Sequence, residues 1–145
     1  ESFRLYNREG KNNYLALIDL DHFKQINDAY GHVGGDQILE EIGKIISMFK
    51  DEGIVGYRQG GDEFAMLIET DSADYVRTIV GKLNEGISRH HKIPFSITVG
   101  AERIRTYHNN WEEWYRGADD VLYKAKENRG SVIVMDWDSY KLGLI

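Results

Sequence analysis

Acidic residues stand at two points of the chain in a pattern that suits a hard metal ion. Asp19 and Asp21 close an apolar run, and Asp62 and Glu63 follow a pair of glycines. Adjacent carboxylates repel one another, and a bound Mg²⁺ would offset that repulsion. Mg²⁺ needs only one or two carboxylates when water and substrate phosphates supply its other ligands. The pattern therefore points to metal-assisted chemistry on phosphates.

Two backbone elements must position these acids. The apolar run at residues 14–19 predicts a buried central strand that delivers Asp19 at its carboxyl end. Strand-like segments at 54–57 and 64–68 flank Gly60 and Gly61, and glycines suit a tight hairpin because a positive φ costs them little. The second pair of acids is therefore expected at a hairpin tip.

The rest of the chain alternates between helical and strand periodicity. The order β-α-α-β-β-α-β-α-β indicates an α/β (α+β) sandwich with a mainly antiparallel sheet. Asp21 is a candidate N-cap of the first helix. The predicted helices cover residues 21–29, 37–49, 73–89 and 111–128, and two further strands cover residues 95–101 and 131–135.

Composition describes a globular chain of one domain, with 145 residues, 41% of them hydrophobic and 29% charged. A net charge of −6 argues against general nucleic-acid binding, because no broad basic face can meet phosphates. The lack of cysteine excludes disulfides and thiolate metal sites. No apolar run has the length of a membrane span, so membrane insertion by this domain is not expected. The abrupt start at Glu1 predicts a piece of a longer protein.

Three ordered blocks of residues resemble the GGDEF domain of diguanylate cyclases. They read Asp-x-Asp-x-Phe-Lys-x-Ile-Asn-Asp-x-Tyr-Gly-His-x-x-Gly-Asp from Asp19, Arg-x-Gly-Gly-Asp-Glu-Phe from Arg58, and Ala-Asp-x-x-Leu-Tyr-x-Ala-Lys ending at Lys126. The blocks span residues 19–126, and three in order are far more specific than one alone. The resemblance implies a ferredoxin-like palm, with a mainly antiparallel central sheet flanked by helices, related to nucleotide-cyclase catalytic domains.

The resemblance also implies an enzyme that condenses two GTP into the second messenger cyclic di-GMP and two pyrophosphates, with Mg²⁺ or Mn²⁺ as cofactor. Each GTP brings one nucleophile and one electrophile, so a two-fold homodimer is expected. The domain should face the cytoplasm, where its nucleotides are. Sensory or effector domains are expected elsewhere in the full protein, whether or not that protein is membrane-attached.

A catalytically silent, GTP-binding regulatory module that controls an attached domain, such as a phosphodiesterase, is the alternative. The family usually opens with Asp-x-Leu-Thr-Gly-Leu-x-Asn-Arg, and only Leu5, Asn7 and Arg8 of that segment remain here. This departure affects a segment that can influence packing between protomers, and it leaves room for the silent module.

The metal ligands that the resemblance implies are Asp19, the backbone carbonyl of Leu20, and Asp62. Asp62 and Glu63 are the implied catalytic residues, with Glu63 either helping to bind metal or orienting the 3′-hydroxyl for deprotonation. For Asp21 two interpretations stay open, metal ligation and a structural hydrogen bond to a neighbouring backbone.

Asn27 and Asp36 are the implied guanine readers. A carboxylate accepts from both N1–H and the exocyclic amino group of guanine, and an amide can complement the polar edge. Adenine would leave Asp36 facing a lone pair, which argues against a mixed dinucleotide product. Helix capping by either residue is an alternative that is compatible with nucleotide binding.

The triphosphate is implied to meet backbone N–H groups of Phe23 and Lys24 at a helix start, and the ammonium group of Lys126. A solvated Lys126 on an exposed helix face is the alternative. The family often has a second basic residue four positions after this lysine, where Gly130 stands here, and Arg129 comes one position earlier. Spacing alone does not decide whether Arg129 reaches the phosphates.

The inhibitory product site of the family, Arg-x-x-Asp shortly before the signature, is missing. Asp51 and Ile54 occupy the positions of its arginine and its aspartate. Without an arginine fork to grip a phosphate or a guanine edge, the sequence predicts no strong feedback inhibition through this surface.

Overall fold

The computed structural model describes residues 13–90, 92–104 and 110–136. One mixed sheet forms its central layer, in the order β2-β3-β1-β4-β5, and every pairing is antiparallel except the parallel pair of β4 with β5. The predicted mainly antiparallel sheet flanked by helices is therefore confirmed. The strands are β1 Asn13–Leu20, β2 Ile54–Gly60, β3 Glu63–Glu69, β4 Ile97–Arg103 and β5 Val132–Met135.

Helices cover both faces of the sheet, so β1 is buried along its whole length and reads as a nearly continuous apolar run. α1 (Phe23–Ser47) and α2 (Ala73–His90) pack on one face, and α3 (Trp111–Ala125) packs on the other. Short 3₁₀ turns at Lys50–Glu52 and Lys126–Asn128 follow α1 and α3. None of the helices in the described residues is long and apolar enough to cross a membrane.

The two helices predicted over residues 21–29 and 37–49 correspond to the two helical segments of α1, which meet at a kink. The bend lies at Gly31, where φ is 75° and ψ is 173°, a backbone conformation that is essentially restricted to glycine. The predicted N-cap is also wrong, because His22 holds that position in the left-handed conformation while the Asp21 side chain bonds elsewhere. The gap between the two predicted helices contains Gly31, so the sequence predicted a break at this place but made it too long.

The remaining elements match their predictions within a few residues. α2 agrees closely, β4 begins two residues later than expected, and α3 passes into a 3₁₀ turn after Ala125. The N-cap of α3 is Asn110, whose side chain accepts a hydrogen bond of 2.9 Å from the backbone N–H of Glu113. The altered segment that carries Leu5, Asn7 and Arg8 lies outside the described residues.

Candidate functional site

The predicted hairpin is present, and it fixes the second pair of acids. Gly60 and Gly61 both have positive φ, 151° and 52°, as the tight turn requires. The Arg58 guanidinium closes the turn, because Nε and Nη2 donate to the carbonyl oxygen of Gly61 over 3.0 and 2.6 Å. Asp62 and Glu63 therefore leave a turn that is braced by the arginine of the same sequence block.

The end of β1 meets the start of β3, so the two groups of acids come together. Asp19 is the cross-strand partner of Glu63, and the backbone N–H of Leu20 donates to the carbonyl oxygen of Asp62 over 3.3 Å. Both side chains of the Asp19–Glu63 pair lie on the face of the sheet that α3 covers. Asp19 is 7% exposed, whereas Asp62 and Glu63 are half-buried. The structure thus places the backbone of Asp62 and Glu63 next to that of Asp19 and Leu20.

Asp21 is the centre of a buried polar network. Its carboxylate accepts hydrogen bonds from the hydroxyls of Ser96, at 2.6 Å, and Thr98, and from Arg129 Nη1, at 3.1 Å. Its backbone N–H donates to the carbonyl oxygen of Ser96 over 2.9 Å. These partners occupy both carboxylate oxygens, which favours the structural interpretation of Asp21 over metal ligation.

Two cations meet at the Asp19 carboxylate. Arg129 Nη1 donates to Oδ2 over 3.0 Å, and Lys126 Nζ lies 3.6 Å from the same oxygen. The hydrogen bond to Asp19 raises the pKa of the Arg129 guanidinium above its ordinary value. Gly130 follows with φ 86° and donates its N–H to the Thr98 hydroxyl over 2.9 Å, which anchors the turn that carries Arg129. In this structure Arg129 therefore points to the carboxylates.

Tyr115, on helix α3, contacts the predicted catalytic acid Glu63. The Tyr115 hydroxyl on α3 donates to Glu63 Oε1 over 2.8 Å, and burial raises the pKa of this tyrosine. Its ring lies beside Trp111, with 6.4 Å between centroids, and Trp111 meets the fully buried Trp114 edge to face at 5.8 Å. The three aromatic residues thus build a support between the helix and the hairpin.

Sequence reasoning missed Tyr115, Ser96 and Thr98 as members of the site. The three aromatic residues of α3 stand at helical spacing, which predicts core or a partner surface and gives no sign of a bond to Glu63. Ser96 and Thr98 alternate with Ile97 near the start of β4, and polar residues on one side of a strand next to a buried acid were the available signal.

All the predicted nucleotide-binding residues except Lys126 lie on α1. His22 gives this helix no side-chain cap and its first turn contains no acidic residue, so the N–H groups of Phe23 and Lys24 stand at an end that favours anions. Oδ1 of Asn27 is buried, has no hydrogen-bond partner among the described residues, and lies so close to Gly35 that a Cβ there would overlap it. The bend at Gly31 thus brings Asn27 beside Gly35, next to the exposed Asp36.

A divalent ion at the end of β1 would receive only some of its ligands from the protein. In the described part of the chain no three acidic or histidine side chains converge as a metal cage. Asp19, the Leu20 carbonyl and Asp62 would supply hard oxygen ligands, and nucleotide phosphates and water would complete the shell, as is usual for Mg²⁺. In this structure Lys126 and Arg129 neutralise the buried Asp19 carboxylate.

At the site of the missing inhibitory motif, Asp51 is exposed on the 3₁₀ turn after α1. Ile54 is 2% exposed and belongs to the core between the sheet and its two covering helices. The side chain at this position thus faces inward and offers nothing to a ligand on the surface.

Comparisons with known proteins agree with the sequence blocks. The family model described as "Diguanylate cyclase, GGDEF domain" matches residues 1–141. "Probable diguanylate cyclase DgcT" of Escherichia coli is 33% identical over 131 residues, covering 84% of this chain and 29% of that protein. Diguanylate cyclase VdcA of Vibrio cholerae is 36% identical over 120 residues, covering 77% of this chain and 35% of that protein. The chain spans about a third of the length of the curated relatives that it matches.

Solved structures share the fold. The GGDEF domain of DgcB from Caulobacter crescentus, in complex with c-di-GMP, matches with a TM-score of 0.82 and 26% identity, covering 92% of this chain and 83% of that one. The five-stranded sheet and its flanking helices are therefore the architecture of that family of domains.

Proposed function

This chain belongs to the diguanylate cyclase GGDEF domain family, and we propose that it condenses two GTP into cyclic di-GMP and two pyrophosphates. The observation that supports this best is the meeting of the Asp19–Glu63 cross-strand pair with Asp62 beside the turn. One metal-phosphate site needs carboxylates from both sequence blocks, and the pairing of β1 with β3 supplies them.

In the proposed reaction, the 3′-oxygen of one GTP forms a bond to the α-phosphorus of the other. The bond from that phosphorus to the bridging oxygen of the leaving pyrophosphate breaks, and the pyrophosphate departs with the electron pair. Glu63 orients the 3′-hydroxyl and receives its proton. The same step with the roles of the two nucleotides exchanged closes the ring.

Asp19, the Leu20 carbonyl and Asp62 would hold Mg²⁺ or Mn²⁺. When bound, the ion supplies electrostatic stabilisation of the charge that develops on phosphate oxygens. The N–H groups of Phe23 and Lys24 and the ammonium of Lys126 bind the triphosphate. Lys126 lies on the same face of the sheet as the carboxylates, within 3.6 Å of Asp19, so a phosphate held near a metal at Asp19 would come within its reach.

Guanine is the proposed base because of Asn27 and Asp36. The orphaned Oδ1 of Asn27 is a buried acceptor that awaits a donor, and a buried polar atom without a partner costs about 1–3 kcal/mol. Guanine N1–H and its amino group are donors, whereas the corresponding ring nitrogen of adenine is an acceptor. Competition between ATP and GTP tests this preference, and equal binding of ATP would contradict it.

Two copies of the domain should face each other with two-fold symmetry during turnover, since one copy holds one GTP and the reaction needs two. Such a homodimer also makes the rate rise with more than the first power of protein concentration while dimers are scarce. The proposed setting is the cytoplasm, with sensory or effector domains in the longer protein and no nucleic acid as partner.

Purified protein incubated with GTP and Mg²⁺, followed by chromatography of the nucleotides, tests the proposal. We expect a cyclic di-GMP peak that vanishes in Asp62→Asn, while the circular dichroism melt stays that of the parent. Asp51→Asn is the matched control, because it removes an exposed acid outside the site. Product formation that is unchanged by Asp62→Asn would refute the metal role of Asp62.

The pairing of Asp19 with Arg129 favours a second candidate, the silent GTP-binding module that controls an attached domain. In that case the guanidinium keeps the carboxylate from a metal throughout, and GTP binds without conversion. GTP that remains intact at high protein concentration, yet is retained on gel filtration, would select this candidate.

A further inference from the structure

Arg129 bridges two buried carboxylates at the proposed metal site. One guanidinium nitrogen, Nη1, lies 3.0 Å from Asp19 Oδ2 and 3.1 Å from Asp21 Oδ1. The Asp19 and Asp21 side chains are only 10% and 1% exposed. Removing carboxylates from water is costly unless a positive partner compensates them, so the arginine serves as the counter-ion of both acids in this structure.

A divalent ion at Asp19 would meet this arginine directly. Oδ2 of Asp19 carries both Arg129 Nη1 and Lys126 Nζ, the latter at 3.6 Å. A dication on the same carboxylate would be repelled by both groups, and it would compete with Nη1 for the same lone pairs. Metal binding at Asp19 therefore requires the guanidinium to leave.

The surroundings of Arg129 allow it to leave. Its side chain is 37% exposed, and it sits on the turn between the last 3₁₀ residue and Gly130. Asp21 would retain the Ser96 and Thr98 hydroxyls, and so would remain hydrogen-bonded after the departure. The anchor of the turn also survives, because the N–H of Gly130 binds the Thr98 hydroxyl and not the arginine.

We propose that Arg129 is a resident counter-cation which a divalent metal must displace from Asp19, so that metal and nucleotide bind cooperatively. The displaced guanidinium needs a new anionic partner, and a nucleotide triphosphate at the same site provides one. Metal alone therefore binds weakly, and metal together with nucleotide binds much better. The inference rests on the proposed GTP site for its second half, whereas the competition at Asp19 does not depend on nucleotide.

Mn²⁺ titration followed by electron paramagnetic resonance tests the competition, first without nucleotide and then with a non-hydrolysable GTP analogue. We expect Arg129→Gln to bind Mn²⁺ alone about fivefold more tightly than the parent, or better. The gain in Mn²⁺ affinity that the analogue brings should shrink in this variant. Lys124→Gln, which removes a cation from the exposed surface of α3, should behave like the parent in both titrations.

Arg129→Lys gives a graded second variant. It keeps the charge, but its ammonium group ends a shorter side chain and is more strongly hydrated than a guanidinium, so its Mn²⁺ affinity without nucleotide should fall between those of the parent and Arg129→Gln. If Arg129→Gln does not fold, the lysine variant alone decides the question. Unchanged or weaker Mn²⁺ binding by the folded variants overturns the proposal, and so does a lack of Mn²⁺ binding by parent and variants alike.

These outcomes are separable from the fate of the proposed function. Tighter Mn²⁺ binding by Arg129→Gln together with no cyclic di-GMP from the parent would support the counter-cation and reject the cyclase. Cyclic di-GMP from the parent with unchanged Mn²⁺ affinity in the variants would do the reverse.

Discussion

The Tyr115 hydroxyl donates a 2.8 Å hydrogen bond to Oε1 of Glu63, which ties α3 to the first residue of β3. Glu63 faces Asp19 across the strand pair, and the two carboxylates repel each other. Without a hydrogen-bond donor, the Glu63 side chain would therefore turn away from Asp19. The tyrosine is itself braced by Trp111. Glu63 is therefore held by a donor from the opposite layer of the fold before any ligand arrives.

Replacing Tyr115 by Phe should lower kcat about tenfold and change the KM for GTP less than about twofold, because orientation of Glu63 matters in the transition state. The ring and its contact with Trp111 remain, so unfolding free energy should fall by only about 1 kcal/mol. Steady-state kinetics and urea unfolding measure the two effects. Tyr123→Phe on the exposed side of α3 is the control. An unchanged kcat would show that the bond does not position Glu63.

Cyclic di-GMP should bind the nucleotide-free domain weakly at the surface near Asp51. Rebuilding the inhibitory Arg-x-x-Asp motif would require an acid at position 54. Ile54 lies in the core, and a charge there would disrupt the fold. Isothermal titration should therefore give no saturating heat at low micromolar product. Tight binding with two or more ligands per site would contradict this expectation.

Gly100→Ala should destabilise the protein by about 1–3 kcal/mol, because a Cβ at this β4 position would overlap the backbone of Val121 and Leu122 in α3. The helix would have to lift from the sheet, and Lys126 and Arg129 follow that helix. Urea unfolding measures the loss. Gly43→Ala is the matched control, since nothing lies within 4 Å of a Cβ there, and alanine should stabilise α1 by about 0.5–1 kcal/mol. Equal effects of the two variants would contradict the packing argument.

Local sequence signals predicted the parts of the site that depend on backbone. The buried run of β1 and the paired glycines before Asp62 determine a strand and a hairpin, and antiparallel pairing then makes Asp19 and Glu63 neighbours. Each of these steps needs only periodicity or positive φ, which short stretches of sequence encode.

The parts that depend on long-range side-chain contacts were not accessible in this way. Ser96 and Thr98, which bond to Asp21, are more than seventy positions from it in the sequence. Arg129, which bonds to Asp19, is 110 positions from it. Arg129 stands one position before the second basic residue of the family, so helical spacing alone did not decide whether it faces the phosphates or the carboxylates. The turn at Gly130 directs it to the carboxylates. The packing of elements, not their local periodicity, determines such contacts.

Tyr57→Phe should flatten the loss of stability at alkaline pH. The Tyr57 hydroxyl is buried with no hydrogen-bond partner among the described residues, and burial, followed by repulsion from Tyr115, raises the pKa of Tyr57 well above its ordinary value. The native state thus holds this proton more tightly than the unfolded state, in which tyrosine has a pKa of about 10. The contribution is complete below that pH and is lost as the pH rises toward the folded pKa, with a slope of up to about 1.4 kcal/mol per pH unit.

Urea unfolding of the parent and Tyr57→Phe at pH 7 and at pH 11 measures this difference. At pH 7 the variant should be as stable as the parent or more stable by up to about 1 kcal/mol, because it removes an unpaired hydroxyl. Between pH 7 and pH 11 the parent should lose more stability than the variant, because only the parent carries the Tyr57 hydroxyl. Parallel losses in the two proteins would mean that Tyr57 ionises as readily in the folded state as in the unfolded chain.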